Sequence, residues 1–255
     1  MHRKRIPVRR FLNAFALARL VHAFVFAPLD AADINFKADG LKAPVFDSTG
    51  HLIRRLTAGS ATGPVDSTRL DKGEVDFLAP ESADRPTAML DFEQAVYRKS
   101  DESIRGDDTI RLVSPQGTVS GRRYECWLDT GLLKLGSEVK FSSENVRLTG
   151  EQGEIHFDPK GAGKTDLIKE ATVSGSVMVE RTATSKLPFD RAETDLARYS
   201  AEQQKLFLKS PVTIWKNGEK AVTEIASGFY EFDLNGTPDI IPTTTPAAET
   251  KVPGH

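Results

Sequence analysis

The residues that could do chemistry in this chain are few, and their spacing argues against a catalytic centre. Pro159-Lys160-Gly161-Ala162-Gly163-Lys164-Thr165 has the ending of a phosphate-binding loop, in which backbone amides cradle phosphates ahead of a helix. The position of its first glycine is held by Asp158, and a β-repeat follows where a helix is required, so the segment reads as a hairpin tip. Of the five histidines, His2 and His22 fall in the leader and His255 is the last residue, which leaves His51 and His156. His156 and Asp158 share a strand face, but two ligands do not make a metal site. The acidic pairs Asp101-Glu102 and Asp107-Asp108 lie in a polar, turn-like stretch, whereas glycoside hydrolysis needs carboxylates opposed across a cleft. No nucleophile motif is present. The single cysteine, Cys126, can build neither an intramolecular disulfide nor a cysteine-only zinc site, and its place in a predicted strand marks it as a small buried hydrophobe. The expectation is a protein that is not an enzyme and uses no cofactor or metal.

The formal net charge is −2 with acids and bases interspersed, so no strong field is available to hold nucleic acid. At the N-terminus, Met1-His2-Arg3-Lys4-Arg5 and Arg9-Arg10 precede an apolar run from Phe11 to Leu29. Arg19 and His22 interrupt that run, and a bilayer span needs about 20 predominantly apolar residues. Residues 1–32 are therefore expected to be either an export signal, cleaved after Ala31 or Ala32, or an N-terminal membrane anchor.

The elements that must position any site are strands. Leu41 to Ala58 reads as two strands joined by the turn Asp47-Ser48-Thr49-Gly50. Gly59 to Ser67 is rich in Gly, Ser, Thr and Pro and predicts a loop, followed by a short strand marked by Leu70, Val75 and Phe77. Ala79 to Pro86 predicts a further loop, and Ala88 to Tyr97 a strand, with helix as its runner-up. From Ile110 to Phe232 turn signals recur at the spacing of an all-β sandwich or jelly roll, with Asp129-Thr130-Gly131 and Asn217-Gly218 as the clearest hairpin turns. Asp190 to Phe207 has helix-friendly composition, but the repeat described next places Ser200 to Gln203 in a turn. Residues 33–235 are expected to form one β-domain, and the Thr- and Pro-rich residues 236–255 a disordered tail.

A phrase recurs three times: a polar-apolar strand, a turn, a second strand rich in Leu or Val, and then a Val-x-apolar triplet. The second strand and the triplet are Leu133-Lys134-Leu135 with Val139-Lys140-Phe141, Ala171-Thr172-Val173 with Val177-Met178-Val179, and Leu206-Phe207-Leu208 with Val212-Thr213-Ile214. A period of roughly 35 to 40 residues signals repeated β-units that must stack to bury their apolar faces.

This pattern, in Val119-Ser120-Gly121, Leu133-Lys134-Leu135-Gly136-Ser137-Glu138-Val139 and Val173-Ser174-Gly175-Ser176-Val177, resembles the periplasmic lipopolysaccharide-transport proteins of the LptA/LptC, or OstA-like, family. Ala43-Pro44-Val45-Phe46, Gly50 and Leu52 to Ala58 resemble the start of an LptC-like domain. The resemblance implies a twisted, partly open β-jelly roll whose two sheets form a slot for the acyl chains of lipopolysaccharide. It implies a place in the periplasm, free after signal cleavage or held to the inner membrane by the N-terminal helix. It also implies docking of open edges onto other transport proteins or onto further copies of the chain, so that lipid passes toward the outer membrane without covalent chemistry.

Strand parity and the family pattern together nominate inward residues as lipid-slot candidates: Tyr124, Leu133, Leu135, Val139, Phe141, Val173, Val177, Val179, Leu206, Leu208, Val212 and Ile214. Arg122 and Arg123, placed near a strand mouth, are candidates for the head-group phosphates. Two rival readings remain: a carbohydrate-binding or adhesion β-sandwich, which would need Trp127 and Trp215 exposed and adjacent, and an envelope scaffold that binds protein edges but no lipid.

Overall fold

The computed structural model describes residues 35–79, 86–159, 167–223 and 228–235, all in strands, turns and connecting loops. In chain order the strands are β1 (Asn35–Phe46), β2 (Leu52–Pro64), β3 (Ser67–Leu78), β4 (Pro86–Arg98), β5 (Ser103–Ser114), β6 (Gly117–Trp127), β7 (Leu132–Ser143), β8 (Val146–Gly150), β9 (Gln152–Phe157), β10 (Ile168–Arg181), β11 (Arg191–Ser200), β12 (Lys205–Lys209), β13 (Val212–Lys216), β14 (Glu219–Thr223) and β15 (Phe229–Asp233). They pair antiparallel in one sheet of 15 strands whose order follows the chain, giving a twisted, jelly-roll-like all-β structure. Alternation drives it: in β7, Leu133 and Leu135 are buried on one face while Lys134 between them is exposed on the other.

A flat sheet of this size would leave its apolar face in water, and it is instead folded over on itself. Phe77 of β3 and Phe157 of β9 are five strand intervals apart, about 24 Å in a flat sheet. Their ring centroids are 5.4 Å apart. Phe141 of β7 meets Tyr199 of β11 at 4.9 Å in the same way.

The fold runs along a line of irregularities through the middle of the strands. The pairing register slips between Phe92 and Val96, Gly106 and Thr109, Ser120 and Arg122, and Ser174 and Val177. Lys72, Arg123, Glu138 and Ser176 take positive φ on this line. Bulges of this kind bend a strand and raise its twist, so a row of them forms a spine. Strands β8 and β9 are two halves of one bent strand parted at Glu151. Strands β12 and β13 are halves of another, parted at Ser210-Pro211, where proline has no N–H to give the ladder.

The spine divides the sheet into two leaves. The first holds the strand halves beside the turns at 65–66, 99–102, 128–131 and 201–204, with β9, β12 and β15; the second holds those beside 47–51, 115–116, 144–145 and 217–218, with β8, β13 and β14. The inner side of a bend is short of space, and glycine supplies it. A Cβ on Gly73 would lie 2.1 Å from the Phe92 ring, and one on Gly106 would lie 2.5 Å from the Tyr124 hydroxyl. That hydroxyl donates to the Gln94 carbonyl at 2.8 Å. One apolar cluster fills the space between the leaves, from Leu56 of β2 to Phe232 of β15.

The predicted turns at 47–50, 129–131 and 217–218 are present, as is a turn over 201–204 with strands on either side in place of the competing helix. The predicted loop at Gly59 to Ser67 is not a loop. Strand β2 continues to Pro64, its inward Ala61 fully buried, and only Val65-Asp66 turns. Its small residues fit β2 through the bend rather than loosening it. The short strand expected around Leu70 is the continuous β3, and residues 80–85 of the next predicted loop lie outside the described residues. So do the predicted leader at 1–32, residues 33–34 of the predicted β-domain and the predicted tail at 236–255. The three repeats are neighbouring hairpins of one sheet, not units stacked face on face. Their two-triplet strands cross the spine at Gly136-Ser137-Glu138, Ser174-Gly175-Ser176 and Lys209-Ser210-Pro211.

Candidate functional site

The twelve nominated residues all belong to the space between the leaves, six from each. Tyr124, Leu133, Leu135, Val173, Leu206 and Leu208 come from the first leaf, and Val139, Phe141, Val177, Val179, Val212 and Ile214 from the second. Every one except the part-buried Ile214 is buried. They are packed against one another, so an apolar ligand would have to part the leaves and replace these contacts. A groove of about 970 Å³ opens on the outer face of the first leaf, where charged Arg98, Arg105, Asp107, Arg123 and Lys134 line it together with two of the nominated residues, Tyr124 and Leu135.

The interior is finished differently along its length. On β1 the inward row Phe36, Ala38, Leu41, Ala43 and Val45 is only part-buried, while its partners Leu56, Ala58 and Ala61 on β2 are buried. At the far end the loop between β10 and β11 turns Leu187 and Phe189 inward, and Phe189 meets Phe232 edge to face at 5.1 Å. Strand β14, paired with β13, is exposed on both faces apart from the part-buried Thr223.

Opposite the spine, the turns of the two leaves meet in a rim closed by polar ties. Gln116 of the second leaf accepts from the Leu167 and Ile168 amides at 2.9 and 3.3 Å. Lys186 donates to the Asn235 carbonyl at 3.1 Å. Arg54 of β2 crosses from the second leaf to the first, donating to the Leu128 carbonyl and pairing with Glu102. Burial, and after it the charge of Glu102, raise the Tyr97 hydroxyl above its ordinary value. Cys126 is buried as expected, and desolvation pushes its thiol up to about 12.

The other candidates are scattered. His51 bonds Thr49 Oγ1 at 2.7 Å in the first hairpin turn, and His156 bonds Glu154 at 3.0 Å on an exposed face. Asp158 pairs instead with Lys169 at 3.7 Å. Asp101 and Glu102 stand at the rim end of β5 while Asp107 and Asp108 stand at the spine, so the two pairs do not oppose each other. Among the described residues no three of His, Cys, Asp and Glu gather as metal ligands, and no helix is long and apolar enough to cross a membrane. Residues 160–166 of the phosphate-loop-like segment lie outside the described residues.

Arg122 and Arg123 are not at a strand mouth. They occupy the bulge of β6 at the spine, because the register slip there turns both side chains outward. Arg122 meets Glu138 at 3.5 Å, and Arg123 donates to the Gly136 carbonyl at 2.7 Å. Trp127 and Trp215 lie on different leaves, each part-buried under cations: Lys134 over the first, Arg191 and Lys220 over the second.

Sequence reasoning missed the spine and missed Arg54. The signal for Arg54 was present, since it stands in phase with the inward Leu56 and Ala58, where an arginine is out of place. No protein-family model matches the sequence, and no curated protein matches it.

Proposed function

We propose that the chain is a non-enzymatic carrier or bridge component that takes the acyl chains of lipopolysaccharide between its two leaves and passes the lipid toward the outer membrane. The observation that carries this reading is the part-buried inward row of β1, which brings a continuous apolar interior to an open edge of the sheet. Each acyl methylene moved from water into such an interior gains roughly 0.8 kcal/mol. That gain is set against the side-chain contacts the lipid displaces.

Unpaired edges supply the second half of the mechanism. Strands β1, β14 and β15 each have one side free of strand partners among the described residues. Such edges invite pairing with another chain, and a partner strand added there would continue the apolar interior from one protein to the next. The expected setting is the periplasm, with the chain either free or held at the inner membrane by its N-terminal segment. The sugar-binding reading finds no exposed pair of tryptophans, because Trp127 and Trp215 are on different leaves.

The test is photo-crosslinking of labelled lipopolysaccharide to the full chain carrying a photoreactive amino acid at inward Leu135, Val139 or Leu41, or at outward Lys134 or Lys140. Adducts at the inward positions alone are expected. A folded protein that gives no adduct at any of them overturns the carrier reading and favours a scaffold.

A further inference from the structure

Arg54 is the one buried cation among the described residues, 5 % exposed and in phase with the inward apolar Leu56 and Ala58 of β2. A guanidinium in such a place is tolerated only while its charge is met. Two groups meet it, and both belong to the opposite leaf: the Leu128 carbonyl, in the turn after β6, and the Glu102 carboxylate, in the turn before β5. Those turns are tied to each other, since the Leu128 amide donates to the Glu102 carbonyl at 3.0 Å. Arg54 therefore joins the second leaf to a preassembled corner of the first. Its register partner on β1 is Val45, part of the open row, so the tie stands one strand from the open edge.

The two halves of the pair differ in exposure: the Glu102 side chain is 43 % exposed and that of Arg54 is 6 %. Glu102 can turn to water at little cost, whereas Arg54 cannot stay between the leaves without it. The other rim ties, Gln116 and Lys186, involve no buried charge and lack this property.

We propose that the Arg54–Glu102 pair is a latch on the rim beside the open edge: closed, it holds the leaves together there, and released, it parts them and exposes the interior next to β1. That acyl chains enter by this gap rests on the carrier reading; the latch itself does not.

The chain contains its own reporter. Cys126 is its single cysteine, fully buried in the first leaf and close enough to Arg54 to feel its charge. The experiment follows alkylation of Cys126 by iodoacetamide in the full chain, across urea concentrations below the unfolding transition. Glu102→Gln, which leaves the guanidinium short of a counter-charge, is expected to label about tenfold faster or more than the wild type. Its rate should be nearly independent of urea, as for a local opening that exposes little surface. Arg54→Met removes the charge and keeps apolar bulk, and is expected to label no faster than the wild type.

A residue of merely structural worth would act otherwise, and labelling of both variants along the steep urea slope of global unfolding would overturn the latch. So would Glu102→Gln labelling at the wild-type rate. Uptake of fluorescent lipopolysaccharide by the same variants separates the two proposals. Faster labelling of Glu102→Gln with no uptake by any variant keeps the latch and sinks the carrier. Equal uptake with equal labelling does the reverse.

Discussion

At the β1 end of the roll Phe36, Leu41 and Ala43 are only part-buried, whereas at the β15 end Leu187 and Phe189 are 2 % and 1 % exposed and fill the gap between the leaves. The same sheet thus meets two opposite demands. A plug gives one end the packing of an ordinary core, and the other end forgoes burial that three apolar side chains could have had. Burial forgone on an edge strand is a surface kept available, so the difference identifies the β1 end as the place where a ligand or a partner strand would add most.

Two truncations test that difference most directly. Phe189→Ala should cost about 3–5 kcal/mol, the usual loss for a buried aromatic whose cavity cannot collapse. Phe36→Ala should cost under about 1.5 kcal/mol, because that ring is only part-buried and its site opens to solvent at the edge. Urea denaturation of both variants gives the comparison, and equal losses would mean that the β1 edge is as much a core as the plug. On the carrier reading, the smaller stability loss at Phe36 should be accompanied by the larger loss of lipid capture.

A second contrast lies along the spine, from its middle to the open edge. Gly73→Ala drives a methyl into the Phe92 ring and should cost about 1–3 kcal/mol through overpacking. Gly40, on β1, has open space where its Cβ would stand and a φ of 73°. Gly40→Ala should therefore cost only about 1 kcal/mol, the price of a left-handed backbone for an L-residue. Thermal unfolding of the two variants ranks them, and a reversed order would mean that the bend relaxes at its middle rather than at its edge.

These features were unequally legible in the sequence. Period-two alternation found the strands of the repeats and the inward face of each, because burial on one face of a sheet writes itself into residue order. The same alternation is blind to a bend that preserves parity. Leu135 and Val139 are four residues apart, so they stay in phase whether the strand runs straight or folds at Gly136-Ser137-Glu138, and only the three-dimensional path shows that they face each other from separate leaves. Composition misled at Gly59 to Ser67 for a related reason, since the bend wants the same small residues that a loop does. Arg122 and Arg123 were misplaced because a bulge moves side chains off the phase that counting assigns them. The open edge had no signature at all: Leu41 and Ala43 alternate as well as any buried strand, and their exposure depends on what lies across from them.

The smallest of these effects asks whether the roll stays dry behind its open edge. The Cys126 thiol, near Arg54, is raised from 9.0 to about 12 by burial. Between those values the folded chain keeps a proton that the unfolded chain has lost, so the unfolded state binds fewer protons and stability falls as pH rises. The contribution is whole below about pH 9 and is lost by about 1.4 kcal/mol per pH unit above it. Tyr97 and Tyr124, also raised by burial, add to the alkaline loss in any variant. The measurement is therefore a difference: urea denaturation of the wild type and of Cys126→Ala at pH 8 and pH 10, with the wild type expected to lose about 1.4 kcal/mol more than the variant. Parallel losses would mean that water already reaches the thiol. The interior beside the latch would then be wet in the closed roll, and the contrast between its two ends would be one of solvation as well as packing.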